Sequence, residues 1–125
     1  MKSARKAFTL VEIMIVVLII GILLAIAVPN FVRARAASRQ KACVATLRQI
    51  ESAKQQWAMD NRKAPTDTPT WPTDLVGNTL YIKGQTPVCP TTGAAYSTGT
   101  VNTDPTCPNA TAPDGITGIN HVLNP

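Results

Sequence analysis

Histidine occurs once in this 125-residue chain, as His121 near its end, and charged residues make up only 15% of it. One histidine cannot supply a paired acid–base site, and neither a Cys-x-x-Cys nor a His-x-x-x-His zinc spacing is present. No glycine-rich phosphate loop occurs, and no two carboxylates share a context that builds a pocket. These absences argue against the usual enzyme classes, and the chain reads as a non-enzyme without catalytic residues. Aromatic residues are only 5% of the chain, which lends no support to an electron-carrying role. Two further absences organise the molecule. Between Phe8 and Val28 the sole charge is Glu12, and between Asn30 and Ala64 there is no proline.

The first gap is filled by "FTLVEIMIVVLIIGILLAIAV", 21 residues. As a helix this spans roughly 31 Å, the thickness of a bilayer's hydrocarbon core. It is too long and too uniformly apolar for a core helix of a small soluble protein. A cleaved secretory signal is the other alternative, with Ala25 and Ala27 as its small residues, but such a signal has a shorter apolar core. A better cleavage position lies on the other side of the span, at Ala7–Phe8. Lys2, Arg5 and Lys6 precede the span, while Arg33, Arg35, Arg39 and Lys41 follow it. Cationic residues at both ends leave the orientation open on charge alone.

The second gap is a continuous helical pattern. At 100° per residue, Val32, Ala36, Cys43, Leu47, Ile50 and Trp57 share one side, with Lys41, Arg48, Gln55 and Arg62 opposite. Arg39 and Lys54 intrude on the apolar stripe, and Glu51, three residues before Lys54, is placed to pair with it. The pattern predicts one helix from the membrane to about Asn61. Pro29 removes the hydrogen bond to the Ala25 carbonyl and predicts a kink, with Gly21 a second weak point.

The stretch "KAFTLVEIMIVVLIIGILLAIAVP" resembles the N-terminus of type IV prepilins and type II secretion pseudopilins, over about Lys6 to Asn61. The shared motif is a short basic leader, then Phe-Thr-Leu-Val-Glu, then an unbroken apolar run ending in proline. The resemblance implies that a prepilin peptidase cuts between Ala7 and Phe8 and methylates the new amine of Phe8. It also implies a cytoplasmic N-terminus and a periplasmic or extracellular head. The family has glycine before the cut where this chain has Ala7, which is small enough for a tight site but implies slower processing. The implied organisation is a leader over 1–7, a transmembrane and filament-core helix over 8–29, an amphipathic helix over 30–63 and a small head over 64–125. The fold class is α+β, a long N-terminal helix packed on a β-containing head.

A charge at mid-membrane costs roughly 2.5–3.5 kcal/mol, so Glu12 needs compensation. It lies one turn from the amine that cleavage creates on Phe8, and can pair with that amine locally, remain hydrated near the interface, or pair with the amine of a neighbouring subunit. The resemblance favours the intermolecular pair, which makes Glu12 a register device for assembly.

Nine of the ten prolines lie beyond Ala64. "APTDTPTWPTD" reads as a loop, "TLYIK" as a short strand or loop end, "GAAYSTGTVN" as a hairpin turning at Ser97–Gly99, and "DGITGINHVLN" as a further strand. So small an apolar inventory is marginal alone. The head should therefore pack on Leu47, Ile50 and Trp57 and use a staple. Cys89 and Cys107, both in "CP" contexts in the head, are the favoured disulfide, worth roughly 3 kcal/mol in the chain-entropy model. Cys43 then reads as a buried hydrophobe, with its pairing to a head cysteine as the alternative. Related heads bind calcium through a C-terminal loop, which makes Asp104, Asp114 and Asn120 the candidates here. They form no compact ligand series, so no cofactor is expected. Zinc on Cys89, Cys107 and His121 lacks a supporting spacing. "NAT" at Asn109 matches a glycosylation sequon.

Arg33, Arg35, Arg39, Lys41 and Arg48 point around the helix without forming one basic stripe, against a nucleic-acid surface. They suit lipid headgroups before assembly or acidic heads afterwards. The resulting expectation is a self-assembling filament subunit, served by the peptidase, an inner-membrane platform and its ATPase. The small head and Tyr81–Ile82–Lys83 lean towards a secretion pseudopilin. A surface pilus subunit, or a competence-type pilin with DNA contact, is the alternative.

Overall fold

The computed structural model of the chain describes residues 7–110 and 121–123. One helix dominates it, α1 (Leu10–Asp60), 51 residues long and running through Pro29. Both ends of α1 have local causes. At the start, Thr9 is the N-cap and Glu12 the third helical residue, a Thr-x-x-Glu capping box. At the end, Arg62 adopts a left-handed φ of 52°. Its N–H donates to the Met59 carbonyl at 3.4 Å, and the Lys63 N–H donates to the Ala58 carbonyl at 2.9 Å. Those two reverse bonds form a Schellman motif and satisfy carbonyls that the helix leaves open.

The chain divides into two compact units after Ala34. In the first, every described residue is exposed. From Phe8 to Val32 the apolar side chains face outward all round the helix, with Phe8 81% and Leu10 74% exposed. A helix apolar on all sides has no single core face and suits a surrounding of lipid or other helices. Among the described residues this is the one helix long and apolar enough to cross a membrane.

The second unit buries the expected stripe. Ala36, Cys43, Leu47, Ile50 and Trp57 are buried, joined by Ala53 and Ala58. Val32 is exposed and lies in the first unit. Leu75, Ile82, Cys89, Tyr96, Val101 and Cys107 pack on this stripe, with Trp71, Val76, Tyr81 and Leu123 partly buried around them. The head therefore docks on Leu47, Ile50 and Trp57 as the pattern required.

The expected β character reduces to single bridges. Among the described residues there is no extended strand, only Val76 with Ile82, Val88 with Ala95 and Ser97 with Thr106. From "TLYIK" only Ile82 pairs, its N–H donating to the Leu75 carbonyl at 2.8 Å. The turn expected at Ser97–Gly99 occurs earlier. The Cys89 N–H donates to the Ala94 carbonyl at 2.9 Å and the Gly93 N–H to the Cys89 carbonyl at 2.8 Å, with Gly93 at φ 70°. Prolines 87, 90, 105 and 108 offer no N–H to a ladder, so pairing stops after one bridge at each place. Of the last expected strand, positions 114–120 lie outside the described residues, and His121–Leu123 is not in a strand. "APTDTPTWPTD" is a series of turns closed by aspartates: Asp67 Oδ2 accepts the Ala64 N–H at 2.9 Å and Asp74 Oδ2 the Thr70 N–H at 2.8 Å.

Candidate functional site

Ala7 and Phe8, the expected cleavage pair, are exposed just ahead of α1. Glu12 sits a turn further on with its carboxylate held locally. Its Oε2 accepts the Thr9 N–H at 2.9 Å and the Thr9 hydroxyl at 3.1 Å, while its own N–H donates to Thr9 Oγ1 at 3.3 Å. Apolar surface from Phe8, Ile13, Ile15 and Val16 surrounds the group. Beyond the Phe8 amine and water, the compensation expected for Glu12, Thr9 supplies it, and "TLVE" spells the capping signature. This geometry lets the single chain carry a carboxylate in an apolar helix, since two donors satisfy it where the helix dipole also favours negative charge.

Gly21 lies on open helix surface, where an added Cβ would meet nothing within 4 Å. Packing within one chain therefore does not require glycine there. Arg33, Arg35, Lys41 and Arg48 are exposed and Arg39 is half-buried. Lys41 and Arg48 border a shallow groove along α1 with Gln40, Val44 and Ala45.

Lys54 occupies the interior of the second unit, with none of its side chain exposed. Its ammonium lies 2.7 Å from Glu51 Oε2, donates to the Thr98 carbonyl at 3.2 Å and also donates to the Thr103 carbonyl. Gln55 Nε2 adds a bond to the Val101 carbonyl at 3.1 Å. The Thr98–Thr103 loop thus closes over α1 by giving its carbonyls to a buried cation. The intruding lysine of the stripe is the anchor of the head, a role that only the folded loop reveals.

The three cysteines converge. All are free and buried, and the Cys107 thiol donates to the Cys89 sulfur at 3.5 Å. The sulfurs of Cys43 and Cys107 and a ring nitrogen of His121 lie within 4.8 Å of one another. Burial, then the neighbouring Cys43 thiol, push the Cys107 thiol well up. Burial also opposes ionisation of Cys89, but bonds from the backbone and hydroxyl of Thr92 and the backbone of Thr91 outweigh it and hold the thiol below its ordinary value. Burial and Cys43 likewise push the Tyr96 phenol up. Of the calcium candidates, Asp104 is exposed, and Asp114 and Asn120 lie outside the described residues. Asn109 is buried at 6% exposure, so the folded head does not offer its sequon to a glycosylating enzyme.

A helix long and apolar enough to cross a membrane thus begins just after Phe8 and carries a capped carboxylate in its first turn. The model of the prokaryotic N-terminal methylation motif matches residues 2–28. The chain is 44% identical over 64 residues to the type IV major fimbrial protein FimA of Dichelobacter nodosus, an alignment covering 51% of this chain and 40% of that protein. It is 46% identical over 53 residues to the type IV major pilin protein PilA of Myxococcus xanthus, covering 42% and 24%. Against the type II secretion system core protein G of Aeromonas hydrophila it is 34% identical over 65 residues, covering 52% and 46%. The chain thus spans less than half the length of these curated relatives. No solved structure matches it. Over its N-terminal half the chain is similar to type IV pilins and to the type II secretion system core protein G.

Proposed function

We propose that the chain is a structural subunit of a type IV pilus-like filament, and specifically a type II secretion pseudopilin. The observation that carries this reading lies in the first unit, a helix exposed and apolar on every side from Phe8 to Val28 whose sole charge over that stretch, Glu12, stands beside the expected peptidase site. Held in the inner membrane with its N-terminus in the cytoplasm, the helix faces lipid. Cut before Phe8 and drawn out of the membrane, it exchanges lipid for the helices of other copies. Glu12 then trades the Thr9 donors for the methylated amine of a neighbouring Phe8, and that pair sets the stagger between subunits. Breaking a buried ion pair by removing one partner costs about 3–5 kcal/mol, enough to stop polymerisation. Gly21 permits close approach of a neighbouring helix.

The pseudopilin assignment rests on the Tyr81–Ile82–Lys83 loop. The surface-pilus reading has its own support in the higher identities to the FimA and PilA proteins over the first half of the chain. Deleting the gene separates them: loss of a secreted enzyme with surface pili intact supports the secretion role, and the reverse supports the pilus.

Glu12→Gln and Glu12→Val test the register. Glutamine can still serve in a capping box but carries no charge, whereas valine removes both roles. Both variants should insert in the membrane, be cut before Phe8 and fail to form filaments. Normal filaments from Glu12→Gln would sink the charge-pair reading and leave the cap as the residue's function.

A further inference from the structure

We propose that Cys43, Cys89, Cys107 and His121 form a four-donor zinc site that fastens the head to α1. The four residues come from distant parts of the chain and are all buried. Three donors, the sulfurs of Cys43 and Cys107 and a ring nitrogen of His121, lie within 4.8 Å of one another. The Cys89 sulfur lies 3.5 Å from that of Cys107. Around a tetrahedral zinc, with bonds of about 2.3 Å to sulfur and 2.0–2.1 Å to nitrogen, adjacent donors sit roughly 3.5–3.8 Å apart. The Cys89 sulfur stands outside that group of three, beside Cys107, and completes the set by a turn of its side chain toward the other donors. Three thiolates and one imidazole make a closed structural set that leaves no position for a substrate.

The chemistry is a ligand exchange with no change of oxidation state. The three thiols each lose a proton to solvent as their sulfurs bond to the zinc, and His121 binds through a neutral ring nitrogen. An odd number of cysteines also finds its use here. A disulfide between Cys89 and Cys107 would leave the Cys43 thiol buried beside it, whereas the zinc site employs all three sulfurs. A head with no extended strand among its described residues gains most from such a clip, because metal-binding energy becomes folding energy. The long separations between positions 43, 89, 107 and 121 hide the site from any search for short ligand spacings.

The test uses the full-length protein purified in mild detergent, once natively and once under reducing conditions. Metal content is read by mass spectrometry, zinc affinity by competition with a chromophoric chelator, and coordination by the spectrum of the cobalt-substituted protein. The expected result is a single zinc per chain, a thiolate-to-cobalt charge-transfer band, and a melting temperature that a chelator lowers and zinc alone restores. Cys43→Ala and His121→Ala should each weaken zinc by more than the roughly 10–100-fold that losing a supporting group costs. Peptide mapping that finds Cys89 joined to Cys107 in native protein without zinc overturns the proposal. So does a reduced protein that takes up neither zinc nor cobalt, or one whose zinc affinity is unchanged in both variants. The wild-type cobalt spectrum decides the matter even where a variant fails to fold.

Discussion

Replacing Thr9 by alanine removes the hydroxyl that both donates to and accepts from Glu12, while leaving the apolar span untouched. Loss of an N-cap side chain costs about 1 kcal/mol, so the first turn of α1 should fray without releasing the chain from the membrane. Faster amide exchange at residues 10–13 in detergent micelles, with unchanged membrane fractionation, is the expected readout. Lys54 presents the opposite case, a charge that cannot be removed cheaply. Lys54→Met leaves the Thr98 and Thr103 carbonyls without their cation and should destabilise the head by about 3 kcal/mol, the lower end for a broken buried pair because Glu51 stays partly hydrated. A melting temperature within a degree of wild type would show that the loop does not depend on this ammonium. The Tyr96 phenol sets an alkaline limit. Its folded value is raised above the ordinary one of about 10, so the neutral form is favoured by the fold. Its contribution is complete below about pH 10 and is lost as pH rises towards the raised folded value. Tyr96→Phe should flatten that alkaline decline in a pH series of melting curves. Of these residues, Lys54 was visible in the sequence only as an interruption of the apolar stripe with Glu51 near it. The carbonyls that complete its shell belong to a loop 44 and 49 positions away, and no local pattern encodes that return.

At the scale of elements, α1 was legible because its signals are dense and local: a long charge-poor run, then a 3.6-residue stripe, with no proline from Asn30 to Ala64. The observed bounds Leu10–Asp60 sit within a few residues of that expectation. The stop was less legible, since Arg62 stands where a Schellman motif commonly takes glycine. A left-handed backbone costs a residue with a Cβ roughly 1–2 kcal/mol, and glycine gives back about 0.5–1 kcal/mol through its freer unfolded chain. Arg62→Gly should therefore stabilise the second unit by up to about 1 kcal/mol, measured by thermal melting, whereas Arg62→Val should destabilise it. Equal melting points for the two variants would mean that the cap is not what ends the helix. The head was read less well. "TLYIK" and "GAAYSTGTVN" have strand composition, but composition describes how a residue suits a sheet, not whether a partner strand exists. The prolines around Cys89 and Cys107 deny the neighbouring segments a continuous ladder. The cysteine and histidine cluster was illegible for a related reason: its members meet only once α1 and three separate pieces of the head are in place.

For the whole molecule, the decisive feature is how completely the buried residues avoid the first unit. Every buried side chain among the described residues lies at Ala36 or beyond, and the apolar side chains from Phe8 to Val32 contribute nothing to that core. A chain starting at Asn30 therefore loses the long apolar segment without losing a buried side chain among the described residues. The new helix start should fray over its first turn, around Arg33 and Arg35, which are exposed. Such a truncated protein should be soluble without detergent, monomeric by light scattering, and within about 0.5 kcal/mol of the full-length head in stability, as expected for changes remote from buried groups. It should also be unable to enter filaments when mixed with full-length subunits, because the surface that replaces lipid has been removed. The same protein tests the nucleic-acid alternative. Binding to DNA that falls steeply as salt rises would give the exposed Arg33, Arg35, Lys41 and Arg48 a role as phosphate contacts, and its absence leaves them to lipid headgroups and neighbouring heads. Aggregation of the truncated chain, or a head that melts without a cooperative transition, would mean that the apolar segment supports the second unit in a way the burial pattern does not show. The separation of an assembly helix from a self-sufficient head would then have to be given up.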